Sequence, residues 1–287
     1  MVKRIIVLLS AAVVLVLAGV CVFFFMTGGG NGGGGFDSGR VFKVGIECDF
    51  VPYNWLEKQA SDTNVPLANE DGGYAEGYDV QIAKAIAEKI GIKIEFHKVA
   101  WGDMLPYLKD GKIDIIVSGM VDTKERREVA DFSNVYTAQP IEYCIMVRES
   151  DRFANAEILA DFYGARMVGQ KESKMDELID QVPGVIHLPP VDTIPQMFEE
   201  LHKGTADGVI ITLESTSSFM TEFPGLAVVR FLYGQGFKLD YNGICAAVRK
   251  GDKKLLNAVN NALSGISTET RMKLIEQMTE KSEKSKG

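Results

Sequence analysis

From Val41 onward, apolar strands alternate with amphipathic helices, and the stretch Ile113 to Gly119, IDIIVSG, constrains the fold most tightly. A strand with almost no polar face is buried on both sides, which is the situation of parallel strands covered by helices. Its neighbours agree. VFKVGIE (Val41 to Glu47) reads as a strand, and after an irregular Asn-, Asp- and Gly-rich segment YDVQIAKAIAEKIG reads as a helix. That helix is expected to open on Asp79 as its N-cap, to turn Ile82, Ile86 and Ile90 to one face, and to stop at Gly91. IKIEFHKV is the next strand and WGDMLPYLKDG, opened by Trp101, the next helix, so that IDIIVSG completes a βαβαβ series and the chain is of the α/β class.

A second series of the same kind begins near Ile141. IEYCIMVRE, ARMVGQ, VIHL, ADGVIIT and LAVVRF read as strands, with helices opening on Ser173 and on Thr193. FKLDYNGICAAVRKGD leads into KKLLNAVNNALSGIS and TETRMKLIEQMTEK, two amphipathic helices, and KSEKSKG is expected to be a frayed polar tail. Two α/β units without a separating linker suggest two lobes that share chain crossings.

The first forty residues obey another grammar. Lys3 and Arg4 precede the uninterrupted apolar run Ile5 to Met26, the pattern of an export signal or a membrane anchor, and a glycine-rich spacer follows. Two readings stay open: a lipoprotein signal ending at Cys21, or a helix retained in the membrane. Both place the chain outside the cytoplasm, tethered to a membrane through residues 1–26, with 27–40 as linker.

Lys and Arg total 31 against 39 Asp and Glu, a net charge of -8, and no basic run falls within the folded part, so nucleic acid is not an expected partner. The four cysteines have no C-x-x-C spacing and the three histidines are scattered, which leaves little material for a metal site or a disulfide framework. Cys48, Cys144 and Cys245 read as small buried hydrophobes. No metal, cofactor or catalytic residue is expected.

Ligands of open α/β sheets sit beyond the carboxyl ends of strands, where helix N-termini offer unpaired N–H groups. GMVDTKERREVADFS occupies such a place: Thr123 can cap a helix whose first turn carries Arg126, and a guanidinium fork there grips a carboxylate with two parallel hydrogen bonds. Arg127 reads as a surface residue. Aromatic residues at the strand ends, Phe50 within FVPYNW and Trp101, read as walls around a ligand.

GYDVQIAKAIAEKIG, W-x-x-x-L-P-x-L-x-x-G-K-I-D and SGM-x-x-T-x-E-R with DFS and Tyr136, in that order, resemble the family 3 extracellular solute-binding proteins, receptors of amino-acid ABC importers; the likeness spans Val41 to Thr279. The resemblance implies a two-lobed type II periplasmic-binding-protein fold with two chain crossings and a central ligand cleft. Lobe 1 would be 41–137 plus 237–287 and lobe 2 138–236, with hinges near Thr137 to Gln139 and Tyr233 to Gly236. It implies a monomer that binds an amino acid or related zwitterion and passes it to a membrane permease. Residue by residue, Arg126 would clasp the ligand carboxylate with the Val121 N–H. Gly119 would accept from the ammonium, Phe50 and Trp101 would sandwich the side chain, and Ser173 would add donors from the second lobe. Thr212 stands where relatives usually carry an acid for the ammonium, and Glu214 is the expected substitute. The alternative function is a dehydratase acting on a cyclic prephenate-like acid on the same scaffold, with Glu214 and Glu47 the available acids.

Overall fold

A computed structural model describes Phe36 to Lys286 apart from Ser38 and Asn242. The apolar run, the glycine spacer and Cys21 lie outside the described residues, among which no helix is long and apolar enough to cross a membrane.

The strands in chain order begin with β1 (Val41–Ile46), β2 (Asp49–Phe50), β3 (Asn54–Glu57), β4 (Val65–Pro66), β5 (Tyr74–Glu76), β6 (Lys93–Lys98), β7 (Ile115–Ile116) and β8 (Ala130–Val135). The remainder are β9 (Tyr143–Arg148), β10 (Arg166–Met167), β11 (Ile186–His187), β12 (Val209–Thr212), β13 (Leu226–Val229) and β14 (Cys245–Arg249). A five-stranded sheet has the order β6-β1-β7-β14-β8, with β1 parallel to β6 and β7 and only β14 antiparallel. A three-stranded sheet, β12-β9-β13, and the pair β10-β11 form the second half. The chain passes between the two sets after β8 and returns before β14, giving the two crossings of a two-lobed α/β fold.

The helices follow hydrophobic periodicity. α1 (Tyr78–Ile90) buries Ile82, Ile86 and Ile90, α2 (Met104–Lys109) buries Met104 and Leu108, and α3 spans Lys174–Ile179. α4 (Ile194–Lys203) opens with a capping box in which Thr193 Oγ1 accepts from the Gln196 N–H and Gln196 answers to the Thr193 N–H. α5 (Thr216–Glu222), α6 (Lys253–Ser264) and α7 (Thr268–Lys286) complete the set. Each large apolar side chain buried here contributes about 1.5–3 kcal/mol against exposure, and Phe198 stacked on Phe219 at 3.8 Å shows how closely α4 and α5 pack.

Four local expectations are corrected. Asp79 does not cap α1; the cap is Gly77, and carbonyls of the turn between β2 and β3 take the first N–H groups, Pro52 O from Tyr78 and Tyr53 O from Asp79. A Cβ at Gly77 (φ +126) would lie 2.4 Å from Tyr53 O, so this approach requires glycine. The segment after β1 is not irregular, since β2-β3-β5-β4 form a small antiparallel sheet. The KSEKSKG tail is helical through Lys286, held by Lys281 on the fully buried Glu76 at 2.7 Å and by Ser282 Oγ against Ser218 Oγ at 2.6 Å. Finally, Thr123 precedes a single 3-10 turn, Arg126–Glu128, instead of an α-helix; its Oγ1 still accepts from the Arg126 N–H at 3.3 Å.

Candidate functional site

The carboxyl end of β1 delivers Glu47, and the β2 turn returns Phe50 toward Gly119, just beyond β7. Gly119 has φ +63, and a Cβ there would stand 2.5 Å from Phe50 Cδ1; backbone conformation and the facing ring both demand glycine. The two strand ends are tied by the Glu47 N–H donating to Ser118 Oγ at 2.9 Å.

Arg126 is half-buried and turned inward. Its Nη1 donates to Val121 O at 2.9 Å, its Nη2 reaches Glu172 O at 3.2 Å, and its Cζ lies 5.2 Å from the Trp101 ring centroid. Loss of water around the guanidinium lowers its pKa from the ordinary value. Trp101 Nε1 donates to the same Glu172 carbonyl at 3.2 Å. Arg127 faces solvent and engages Asp122, which turns that carboxylate away from Arg126.

Residues from both halves close around one cavity of about 20 Å³: Phe50, Trp101, Gly119, Val121 and Arg126 face Tyr143, Ser173 and Lys174. An outer cavity of about 640 Å³ adjoins it, sharing Trp101, Arg126 and Lys174 as walls. Six residues expected at the site are thereby brought together. Ser173 is an N-cap, its Oγ accepting from the Asp176 N–H at 3.2 Å. Two expected residues are elsewhere. Thr212 is buried in β12, with Oγ1 2.9 Å from Ser215 Oγ, and Glu214 lines a different cavity with Tyr53 and Thr137. Neither belongs to the lining of the cleft: Thr212 ends β12 with its hydroxyl on Ser215, and the turn that follows carries Glu214 to the cavity beside the first crossing.

The acid that does line the cleft is Glu47. It is 3% exposed, and Gln170 Nε2 donates to its Oε1 at 2.5 Å while also reaching Asp192 O at 3.1 Å. Burial, aided by the charge of Asp49, pushes its pKa up to about 8 against the opposing hydrogen bond from Gln170. Lys174 also lines the cleft, with Nζ 2.6 Å from Glu177 Oε1 and 5.3 Å from the Tyr241 ring centroid. Glu47 had a legible signal, a carboxylate at the end of a buried strand; Gln170, Lys174 and Tyr143 had none, since their roles depend on how the second half docks. Among the described residues no cluster of His, Cys, Asp or Glu could hold a metal ion.

An acid and a guanidinium thus line one cavity, walled by two rings and built from both halves of a two-lobed fold. The family model for bacterial extracellular solute-binding proteins, family 3, matches residues 42–279, and the chain belongs to that family. A probable histidine-binding protein of Neisseria gonorrhoeae is 24% identical, with 80% of this chain and 79% of the relative covered. An L-arginine-binding protein of Pseudomonas aeruginosa is 25% identical over 84% of this chain and 88% of its own length. Among solved structures, the amino acid ABC transporter substrate-binding protein AbpA of Streptococcus pneumoniae, bound to L-arginine, superimposes with a TM-score of 0.71 at 23% identity, covering 84% of this chain and 95% of that one. The chain is a substrate-binding protein of the ABC-transporter kind and not an enzyme, which sets the dehydratase reading aside.

Proposed function

We propose that the cleft binds an amino acid whose carboxylate is held by Arg126 and whose positive charge is held by Glu47, and that two lobes close over it before delivery to an ABC permease. The observation that carries this reading is Glu47, a buried carboxylate in the same cavity as Arg126. A desolvated carboxylate is costly without a cation beside it, and a zwitterion supplies one. Arginine, lysine and histidine fit best, because a second positive charge reaches Glu47 without drawing the carboxylate from Arg126; relatives named for arginine and histidine support the same class. With neither Thr212 nor Glu214 in the lining of the cleft, the α-ammonium relies on the Gly119 carbonyl, and Phe50 and Trp101 flank the side chain.

A cavity of about 20 Å³ has room for a water molecule and not for an amino acid, so binding there requires the lobes to part. We assign lobe 1 to 41–137 plus 237–287 and lobe 2 to 138–236, with hinges at Thr137 to Gln139 and Tyr233 to Gly236. The protein would act as a monomer, tethered outside the cytoplasm through its N-terminal segment, by a retained helix or a lipid on Cys21. Thermal-shift measurements with the twenty amino acids test the ligand class: cationic amino acids should raise the melting temperature most. A ranking led by glutamate or leucine would overturn the assignment to Glu47.

A further inference from the structure

Behind the crossings lies another cavity, of about 190 Å³, whose lining has no residue in common with the ligand cleft. Tyr53 comes from the loop after β2, Thr137 and Gln139 from the first crossing, Glu214 from the turn after β12, and Met272 and Glu276 from α7. Glu214 and Glu276 are acids, and no Lys, Arg or His is among the lining residues. The carboxylate of Glu214 is bonded to Tyr53, but its Oε2 is buried with no hydrogen-bond partner, and Thr137 Oγ1 is in the same condition.

Of the cations along α7, Lys281 pairs with Glu76, whereas Arg271 donates to Val135 O and Leu263 O, keeps a buried Nε without a hydrogen-bond partner and acts by its charge on Tyr78 in the lining. Glu142, whose charge acts on Glu214, is itself paired with Arg230 at 3.1 Å. What remains is a recess in which two acids outnumber the one flanking guanidinium, with aromatic and thioether walls and an unsatisfied carboxylate oxygen. An ammonium group supplies the missing donors and charge, and an alkyl chain covers Met272 and the tyrosine rings.

We propose that this cavity is a second binding site, for a small primary alkylammonium. Its walls come from both sides of the chain crossing, so an occupant touches groups that shift relative to one another as the lobes rotate, and it couples to ligand affinity in the cleft. The coupling rests on the two-lobed closure proposed above; the binding itself does not.

The test titrates n-butylammonium chloride into the protein at constant ionic strength and follows the methionine methyl groups by NMR. Saturable movement of the Met272 methyl is expected in the wild type and equally in Glu47→Gln, whose cleft lacks the acid proposed to hold a cation. Affinity should fall about tenfold in Glu214→Gln, the loss of one charge-assisted hydrogen bond. Glu276→Gln, on an exposed helix face, should weaken binding in the same direction and serves if the buried substitution impairs folding. The proposal is overturned if the Met272 methyl does not saturate, if its movement disappears in Glu47→Gln, or if neither Glu214→Gln nor Glu276→Gln changes it. Failure of cationic amino acids to bind the cleft, with this binding intact, would count against the cleft assignment alone.

Discussion

Gln170 from the second half of the molecule donates across the cleft to Glu47 at 2.5 Å, so the one acid in the ligand cavity is held by a neutral amide and not by a cation. Burial leaves Glu47 with a pKa near 8, which the Gln170 hydrogen bond lowers only in part, and the proposed binding of a cation there would be proton-linked. In the free protein at neutral pH the carboxyl is largely protonated; a cationic ligand group requires the carboxylate, so binding releases a proton. Affinity for a cationic amino acid should therefore rise with pH up to about 8, by up to about tenfold per unit below it. Calorimetry in buffers of different ionisation enthalpy measures the released proton directly. Glu47→Gln should weaken binding at pH 8 and flatten the profile; a wild-type profile with no proton release refutes the linkage.

In the proposed complex Arg126 would hold the other end of the ligand, its carboxylate. Arg126→Ala should abolish the thermal shift given by the cognate amino acid, about 2.7 kcal/mol of stabilisation at 100 times the dissociation constant. The unliganded protein should remain folded, because Val121 and Glu172 contribute only carbonyls to the side chain and both carbonyls can turn to water when it is removed. Circular dichroism alongside the thermal shift separates lost binding from lost structure.

The buried charge at Asp79 supports the first crossing. Tyr136 Oη donates to Asp79 Oδ1 at 2.7 Å, Asn54 Nδ2 donates to Oδ2 at 2.8 Å, and Tyr78 Oη donates to Tyr136 O at 2.6 Å. Burial raises the Asp79 pKa to about 7, partly offset by those donors. A carboxyl raised in the folded state weakens folding progressively as pH rises from its unfolded value toward 7, where the charged form must be carried inside. The Tyr136 hydrogen bond stabilises the ionised form most, so Tyr136→Phe should cost about 1–3 kcal/mol at pH 8 and less at pH 5. Denaturant unfolding at the two pH values measures the difference; an equal penalty at both would mean Asp79 has the same charge throughout.

Much of this was legible in the chain because it is local. The periodicity of Ile82, Ile86 and Ile90, the helix start at Thr193 and the apolar strand before Gly119 each depend on a few neighbours. Arg126 was legible for the same reason, since the Thr123 cap lies three residues away. Glu214 was misread because its direction is fixed by the turn after β12 and by Tyr53, more than a hundred residues earlier. The Asp79 carboxylate was misread likewise: its partners Asn54 and Tyr136 outcompete the helix end it was expected to cap. Residues 281–286 carry too many charges for a confident helix, yet Glu76 and Ser218 hold α7 in place from distant parts of the chain.

Glu172 carries the last prediction. It is one of two non-glycine residues with positive φ among the described residues, at φ 62, and its carbonyl accepts from both Trp101 and Arg126 across the cleft. A side chain in the left-handed region costs about 1–2 kcal/mol, which Glu172→Gly would relieve, offset in part by the greater freedom of glycine in the unfolded chain. The substitution keeps the carbonyl, so both cross-cleft hydrogen bonds survive, and the closed form should gain up to about 1 kcal/mol in unfolding experiments. Removing one donor, by Trp101→Phe, should instead favour the open form while keeping an aromatic wall, visible as a larger radius of gyration in small-angle scattering of the unliganded protein. Unchanged scattering in Trp101→Phe would show that the Glu172 carbonyl does not hold the two halves together.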